Sequence, residues 1–237
     1  MNAERFTQIT ARLMRHPAAP YHEAAVRTET EAICAEHGLD YARDRFGNLL
    51  ITLRTAARLR PLVLAAHLDH PGFEITKSTS AGRWRARFLG GVPEKYFQPG
   101  VPLRLMPEGT SATLGPRLNA TDEPEFEIVE TSPRKLKPKF AVWELPDFEL
   151  REERIRGRVC DDLIGCAAIL ETMIQLRESG APLHVIGVLS RAEEVGFHGA
   201  LALAASARLP ASALVVSLET SREMPPVQMG HGVIVRV

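Results

Sequence analysis

The chain is expected to fold as an α/β protein, a central mixed sheet with flanking helices that is interrupted by a small all-β unit. Three observations carry this. A short, continuously apolar run, Pro61–Ala66, leads into polar residues and a Pro-Gly breaker, and Leu183–Leu189 is a second short, mostly apolar run, the texture of buried strands in an α/β sheet. Between them and around them lie segments with apolar residues at helical spacing. From about Phe73 to Arg156, by contrast, proline and glycine recur at short intervals, alternation replaces helical periodicity, and short strands with turns are implied.

Taken in order, Glu4–Arg15 and Glu23–His37 carry helical spacing through Phe6, Ile9 and Leu13 and through Val26 and Ile33. The breaker His16-Pro-Ala-Ala-Pro20 separates them, and Gly38 stops the second. Asp44-Arg-Phe-Gly-Asn48 reads as a turn into a strand at Leu49–Leu53. The Pro61 strand runs into His67, with Asp69 two residues on and Pro71-Gly72 ending the extended run. By the two-residue period His67 and Asp69 share a face, and open α/β sheets place their sites beyond the carboxyl ends of strands. A carboxylate there can accept a hydrogen bond from one imidazole nitrogen and leave the other free for a metal.

Inside the all-β stretch, Arg83–Phe88 and Phe126–Val129 alternate. The basic residues at 134, 135, 137 and 139 sit among prolines and acidic neighbours, as a solvated loop does. After Gly157 the α/β pattern returns. Leu163, Cys166, Ala167, Leu170, Met173 and Ile174 mark a helix with Asp161 or Asp162 as its cap and Gly180 after it. Leu183–Leu189 is the next strand, Gly199–Leu209 an Ala-rich helix, and Ala213–Leu218 a third buried strand. The organisation that follows is a catalytic α/β domain in two parts, residues 1–71 and 157–237, with an inserted β-domain at residues 72–156.

Composition narrows the partners. The 237 residues are 45% hydrophobic and 24% charged, with 29 basic and 29 acidic side chains. Zero formal charge gives no electrostatic reason to expect nucleic acid or an anionic membrane as partner, and no apolar run approaches the roughly 18 residues of a membrane span. Three cysteines, Cys34, Cys160 and Cys166, do not make a disulfide framework. A cytoplasmic protein with reduced thiols and a small or peptidic substrate is expected.

Acidic residues gather at the joints of the α/β part. Asp161-Asp162 stands at a helix entrance, Glu193-Glu194 follows the 183–189 strand, and Glu219 follows the 213–218 strand. Each has a bland reading, as an N-cap, a solvated surface or a loop charge. Together with His67-x-Asp69 they can converge at one sheet edge, where acids repel unless a cation holds them. Imidazole plus carboxylate suits zinc, with cobalt or manganese as alternatives.

The order of these motifs resembles a known family. Ala66-His67-Leu-Asp69-His-Pro-Gly72-Phe73, Cys160-Asp161-Asp162-Leu-Ile-Gly165 and Ala192-Glu193-Glu194-Val-Gly196 are similar to the motifs of the two-metal zinc exopeptidases, nearest the glutamyl aminopeptidases that form tetrahedral dodecamers. Weaker echoes are Arg45-Phe-Gly-Asn48-Leu, Ser217-Leu-Glu219-Thr and Met229-Gly-His-Gly232. Any one motif is weak, but the ordered set is specific and spans the chain. The resemblance implies an aminopeptidase acting on short peptides. His67 would be a ligand of one of two zinc ions, Asp161 the bridge between them, Glu194 and Glu219 one-sided ligands, Glu193 the general base, and Asp69 the residue that orients His67. It also implies a homo-oligomer assembled through the inserted β-domain.

Two departures stand out. Leu163 occupies a position where these aminopeptidases commonly have arginine, and Glu219 one where aspartate is usual. Glutamate there is familiar in carboxypeptidases and N-acyl-amino-acid deacylases of the same superfamily, which form the alternative reading; a catalytically silent assembly or binding subunit is another. The family brings a final histidine ligand from a later strand, and His231 comes too early for it. The sequence therefore reads as C-terminally incomplete, with Gly230–Val237 entering a new strand, and the 237 residues alone are expected to hold fewer than two zinc ions and to show little activity.

Overall fold

A computed structural model describes residues 2–56, 58–223, 225 and 227–236. The chain opens with helix α1 (Ala3–Met14), capped by the Asn2 side chain accepting the Arg5 N–H, and continues into α2 (Ala24–Glu36). Both bury the apolar residues that the spacing singled out, Ile9 and Leu13 in one and Val26 and Ile33 in the other. Gly38 follows α2 at φ +62°, the left-handed conformation that lets a chain leave a helix without a Cβ clash.

Strand β1 (Asp40–Arg43) pairs antiparallel with β2 (Leu49–Arg54). All four β1 residues are exposed, so no alternation announces the strand; it forms because the Asp44–Asn48 turn folds it onto β2. Asp44 Oδ1 accepts the N–H groups of Gly47 and Asn48 at 2.7 and 2.9 Å, an Asx-type turn. β3 (Leu62–His67) follows.

Six strands then close a barrel: β4 (Gly72–Ser80), β5 (Arg83–Leu89), β6 (Pro102–Met106), β7 (Thr110–Arg117), β8 (Glu125–Glu130) and β9 (Phe140–Trp143), in the order β4-β5-β8-β7-β6-β9. Phe73, Trp84, Leu103, Leu105, Leu114, Phe126 and Ile128 fill it. Closure removes the sheet edges. The hairpin of β10 (Glu149–Arg151) and β11 (Arg154–Arg156) lies outside the barrel, and Phe148 and Ile155 beside and within it pack on the α/β core instead.

Helix α3 (Cys160–Ser179) is apolar on nearly every face, burying Leu163, Cys166, Ala167, Ile169, Leu170, Met173 and Ile174. An all-round apolar helix is a buried one, and α3 packs against β3, β12 and α1. Strand β12 (His184–Ser190) pairs parallel with β3 and antiparallel with β2; α4 (His198–Ala205) and β13 (Leu214–Ser217) complete the sheet, whose order is β1-β2-β12-β3-β13. Thus β3 lies between two parallel partners, as its continuous apolar run predicts.

Two expectations are corrected here. β13 was expected to be a third buried strand, yet among the described residues it pairs only with β3, at the edge of the sheet, and Leu214, Val215 and Val216 are exposed. An apolar run reports strand propensity, not whether a neighbour covers it. The strand expected from Gly230 is also missing: described residues 230–236 form none, and Val233 and Val235 are exposed. Val237 lies outside the described residues.

Candidate metal site

Parallel pairing decides where the chemistry gathers. β12, β3 and β13 run in one direction, so their carboxyl ends lie on one edge of the sheet. His67 is the last residue of β3, Glu193 and Glu194 follow β12, and Glu219 follows β13. Asp161 comes to the same edge from the start of α3.

His67 is buried. Its Nε2 lies 3.4 Å from Asp161 Oδ1, 3.7 Å from Glu193 Oε2 and 3.7 Å from Glu219 Oε1. None of these approaches makes a hydrogen bond, and Nε2 is a buried polar atom without a partner. Such atoms cost free energy unless something binds them. Two sets of side chains are spaced to hold an ion, His67 with Asp161 and Glu219, and His67 with Glu193 and Glu194.

The other imidazole nitrogen is fixed. Nδ1 stands 2.9 Å from the backbone carbonyl of Asp69, and donating its proton there leaves the Nε2 lone pair free for a metal. The Asp69 carboxylate, expected to do this, is 3.7 Å away and accepts the N–H groups of Glu193 and Glu194 at 3.0 and 3.2 Å. Asp69 therefore reaches the histidine through its main chain and the glutamate loop through its side chain.

The paired aspartates divide their work. Asp162 is fully buried; its Oδ1 accepts the Gly165 N–H at 3.2 Å, the position of a helix cap, and its Oδ2 the His67 N–H at 3.3 Å. Neither Asp161 nor Asp162 has helical dihedrals. That leaves the Asp161 carboxylate, with half its side-chain surface open, facing His67. A Cβ on Gly165 would stand 2.3 Å from Asp162 Oδ1, so the glycine of this motif makes room for the cap.

The electrostatics are those of acids short of positive charge. Burial pushes Glu194 and Asp162 each up to about 8, and raises Glu193 and Asp69. Burial also works against ionised Asp161, but contact with His67 holds it below the usual range. His67 would be lowered by burial, yet Asp161, Glu219 and Asp69 bring it up to about 11. One imidazole cannot neutralise so many carboxylates, and a divalent cation can. The donor set, one buried imidazole nitrogen and carboxylate oxygens, fits zinc.

The other histidines raised by the motifs stand apart. His70 Nε2 is 2.6 Å from Arg158 Nη1, and Nδ1 is 3.0 Å from the Pro71 carbonyl. Burial and Arg158 push His70 down to about 3, so it is neutral and engaged. His231 is exposed.

Sequence reasoning missed three side chains around the site, Glu23, Asn48 and Arg191. In the sequence Glu23 is only the first residue of the Glu23–His37 helical stretch, and Arg191 belongs to no motif. Only Asn48 left a trace, in the Arg45–Leu49 echo.

Comparison with known proteins agrees with the motif order. Residues 138–237 match the model of the M42 glutamyl aminopeptidase family, a stretch that contains Asp161, Glu193, Glu194 and Glu219. Among solved structures, the TET1 peptidase of Pyrococcus horikoshii, described as assembling into a tetrahedron or a large octahedral shell, matches with a TM-score of 0.76 at 22% identity over 95% of this chain and 73% of its own. A dodecameric structure titled PhTET1-12s gives 0.72 at 24% over 88% and 66%, and an aminopeptidase from the archaeon Desulfurococcus kamchatkensis 0.71 at 21% over 96% and 67%. The fold is therefore theirs, and the chain spans about two thirds of the length of these structures. Among the described residues no helix is long and apolar enough to cross a membrane.

Proposed function

We propose that this chain, similar to the M42 glutamyl aminopeptidases, carries the catalytic centre of a metal-dependent aminopeptidase that removes N-terminal residues from short peptides. The observation that carries the proposal is the buried, unpartnered Nε2 of His67 faced by carboxylates from three separate segments. In this reading His67, Asp161, Glu194 and Glu219 would hold the metal, and Asp161 would be the residue shared if two ions bind. Zinc is the proposed metal, with cobalt or manganese as substitutes. A cation held there would polarise the scissile carbonyl and acidify a water molecule.

The chain's own residues supply the rest. Glu193 Oε2 takes the proton of the attacking water and returns it to the leaving amine. Burial holds its carboxyl above the usual carboxylate range, which makes its carboxylate a stronger base toward the water proton. Asp69 fixes His67 through its carbonyl and the Glu193-Glu194 main chain through its carboxylate, so the base and the ligands share one anchor.

Residues 72–156 are proposed as the inserted domain and as the surface of self-association, making the protein a homo-oligomer. The TET relatives' described assemblies support this. The three cysteines stand unpaired, in keeping with a cytoplasmic protein.

The test uses the protein as its gene encodes it, charged with zinc and offered peptides with free amines beside N-acyl amino acids. Chelator-sensitive hydrolysis of the free-amine substrates is expected. Glu193→Gln should lower kcat by orders of magnitude with zinc content near normal. Metal loss with retained turnover would reverse the roles of Glu193 and Glu194, and turnover of N-acyl substrates alone would replace the aminopeptidase reading with a deacylase.

A further inference from the structure

The segment that carries Glu193 and Glu194 is held in an unusual way. Four consecutive main-chain N–H groups, Arg191 to Glu194, are each accepted by a buried side chain from elsewhere in the chain. Asn48 Oδ1 takes Arg191 N–H at 3.0 Å, Glu23 Oε1 takes Ala192 N–H at 3.1 Å, and Asp69 takes those of Glu193 and Glu194 at 3.0 and 3.2 Å. Glu23, Asn48 and Asp69 are all fully buried. Ala192 sits at φ +51°, a conformation non-glycine residues hold only when their surroundings impose it.

Glu23 is the member that mere packing explains least. A buried carboxylate carries a desolvation cost that takes a well-placed partner to offset. Its partner is Arg191 of the same loop, with Nε and Nη2 each 2.8 Å from Glu23 Oε2. Arg191 then donates to the carbonyls of Phe46 at 2.7 Å and Tyr21 at 3.0 Å, and Glu23 Oε1 also accepts the Tyr21 N–H at 2.9 Å. The two charges thus tie the start of α2, the turn before β2 and the glutamate loop into one unit, and Glu23 touches the loop one residue before Glu193.

On the metal reading above, we infer that Glu23, seated by Arg191, is a positioning residue: it holds Ala192 in its left-handed conformation and so sets the Glu193 and Glu194 carboxylates toward His67. Its effect passes through the loop to the metal.

The test titrates cobalt(II) alone into the purified protein and reads its visible absorption, which reports affinity and ligand geometry together. Glu23→Gln keeps the shape but removes the charge and turns a donor toward a donor; it should weaken cobalt binding about 10- to 100-fold, as loss of a residue that orients ligands does, and change the band intensity. Glu171→Gln is the control. That glutamate is equally buried and pairs with Arg5, so it should lower the melting temperature and leave cobalt affinity unchanged. Arg191→Lys keeps a charge against Glu23 but not the planar fork, and should weaken binding in the same direction by less; it serves where Glu23→Gln folds poorly. Cobalt affinity unchanged in a folded Glu23→Gln or Arg191→Lys protein overturns the inference while leaving the metal site standing. Binding that survives His67→Ala overturns the metal reading itself, and the role of Glu23 with it.

Discussion

Replacing Gly165 with alanine sets two effects of opposite sign against each other. In a helix interior alanine is favoured over glycine by about 1 kcal/mol, so propensity alone says the variant is more stable. The added Cβ, however, would stand 2.3 and 2.7 Å from the two oxygens of Asp162. That carboxylate is wholly buried and bound at both ends, to Gly165 N–H at 3.2 Å and His67 N–H at 3.3 Å. It must move by several tenths of an ångström at least, and both bonds lengthen past usefulness. With Asp162 pushed up to about 8 and so largely uncharged at neutral pH, the cost is that of leaving two buried N–H groups unpaired, roughly 1–3 kcal/mol each and about 1.5 for each of these long bonds. Losing about 3 kcal/mol against a gain of about 1 leaves a net destabilisation of about 2 kcal/mol. Urea unfolding of the metal-free protein measures it, as a lower midpoint with an unchanged slope. Because Asp162 adjoins Asp161 in the chain, zinc affinity should fall as well. A Gly165→Ala protein as stable as the parent, or more so, would refute the claim that this glycine exists to admit the capping carboxylate.

Other expectations are shorter to state. Arg5→Ala strands the wholly buried Glu171, which Arg5 Nε contacts at 2.6 Å, and should cost about 3–5 kcal/mol by urea unfolding; Arg5→Ala with Glu171→Leu should recover much of it. The pH dependence of the metal-free protein has a definite sign. Glu194 and Asp162 are raised to about 8 and His67 to about 11, so the native state binds more protons than the unfolded one. The carboxyl contributions are present below the ordinary carboxylate range and lost as pH rises through about 8, and the histidine contribution is present below its ordinary value and lost through about 11. Urea midpoints in chelator should therefore fall between pH 5.5 and 8.5, and zinc should flatten the fall; a rise would contradict the charge balance proposed for the site. Asp69→Asn turns an amide donor toward one of the two N–H groups its carboxylate accepts, so it should cost roughly 1–3 kcal/mol by urea unfolding and weaken zinc binding by loosening the Glu193-Glu194 main chain, as isothermal titration would show.

What the sequence discloses is what is local and periodic. β3 and β12 are legible because neighbours cover them, so every position carries the same apolar demand; β13 has the same signature and turns out to be an edge. β1 has no signature, since its pairing comes from the turn after it rather than from burial. The paired aspartates at 161 and 162 are visible as a helix entrance, but which caps and which faces His67 depends on atoms that periodicity does not reach. The same limit hides Glu23 and Arg191, partners 168 residues apart. His67, Glu193 and Glu219 are legible as a group because strand ends on one edge of a sheet are neighbours by topology; Asp161 joins them from the start of α3.

The central claim is that a metal ion binds at Nε2 of His67. Diffraction from zinc-grown crystals on both sides of the zinc absorption edge tests it most directly. An anomalous peak is expected at the zinc–nitrogen bonding distance of about 2.0–2.1 Å from His67 Nε2, with an Asp161 oxygen also bound. Zinc found only elsewhere, with His67 Nε2 unligated and its surrounding carboxylates protonated or paired with other side chains, would contradict it.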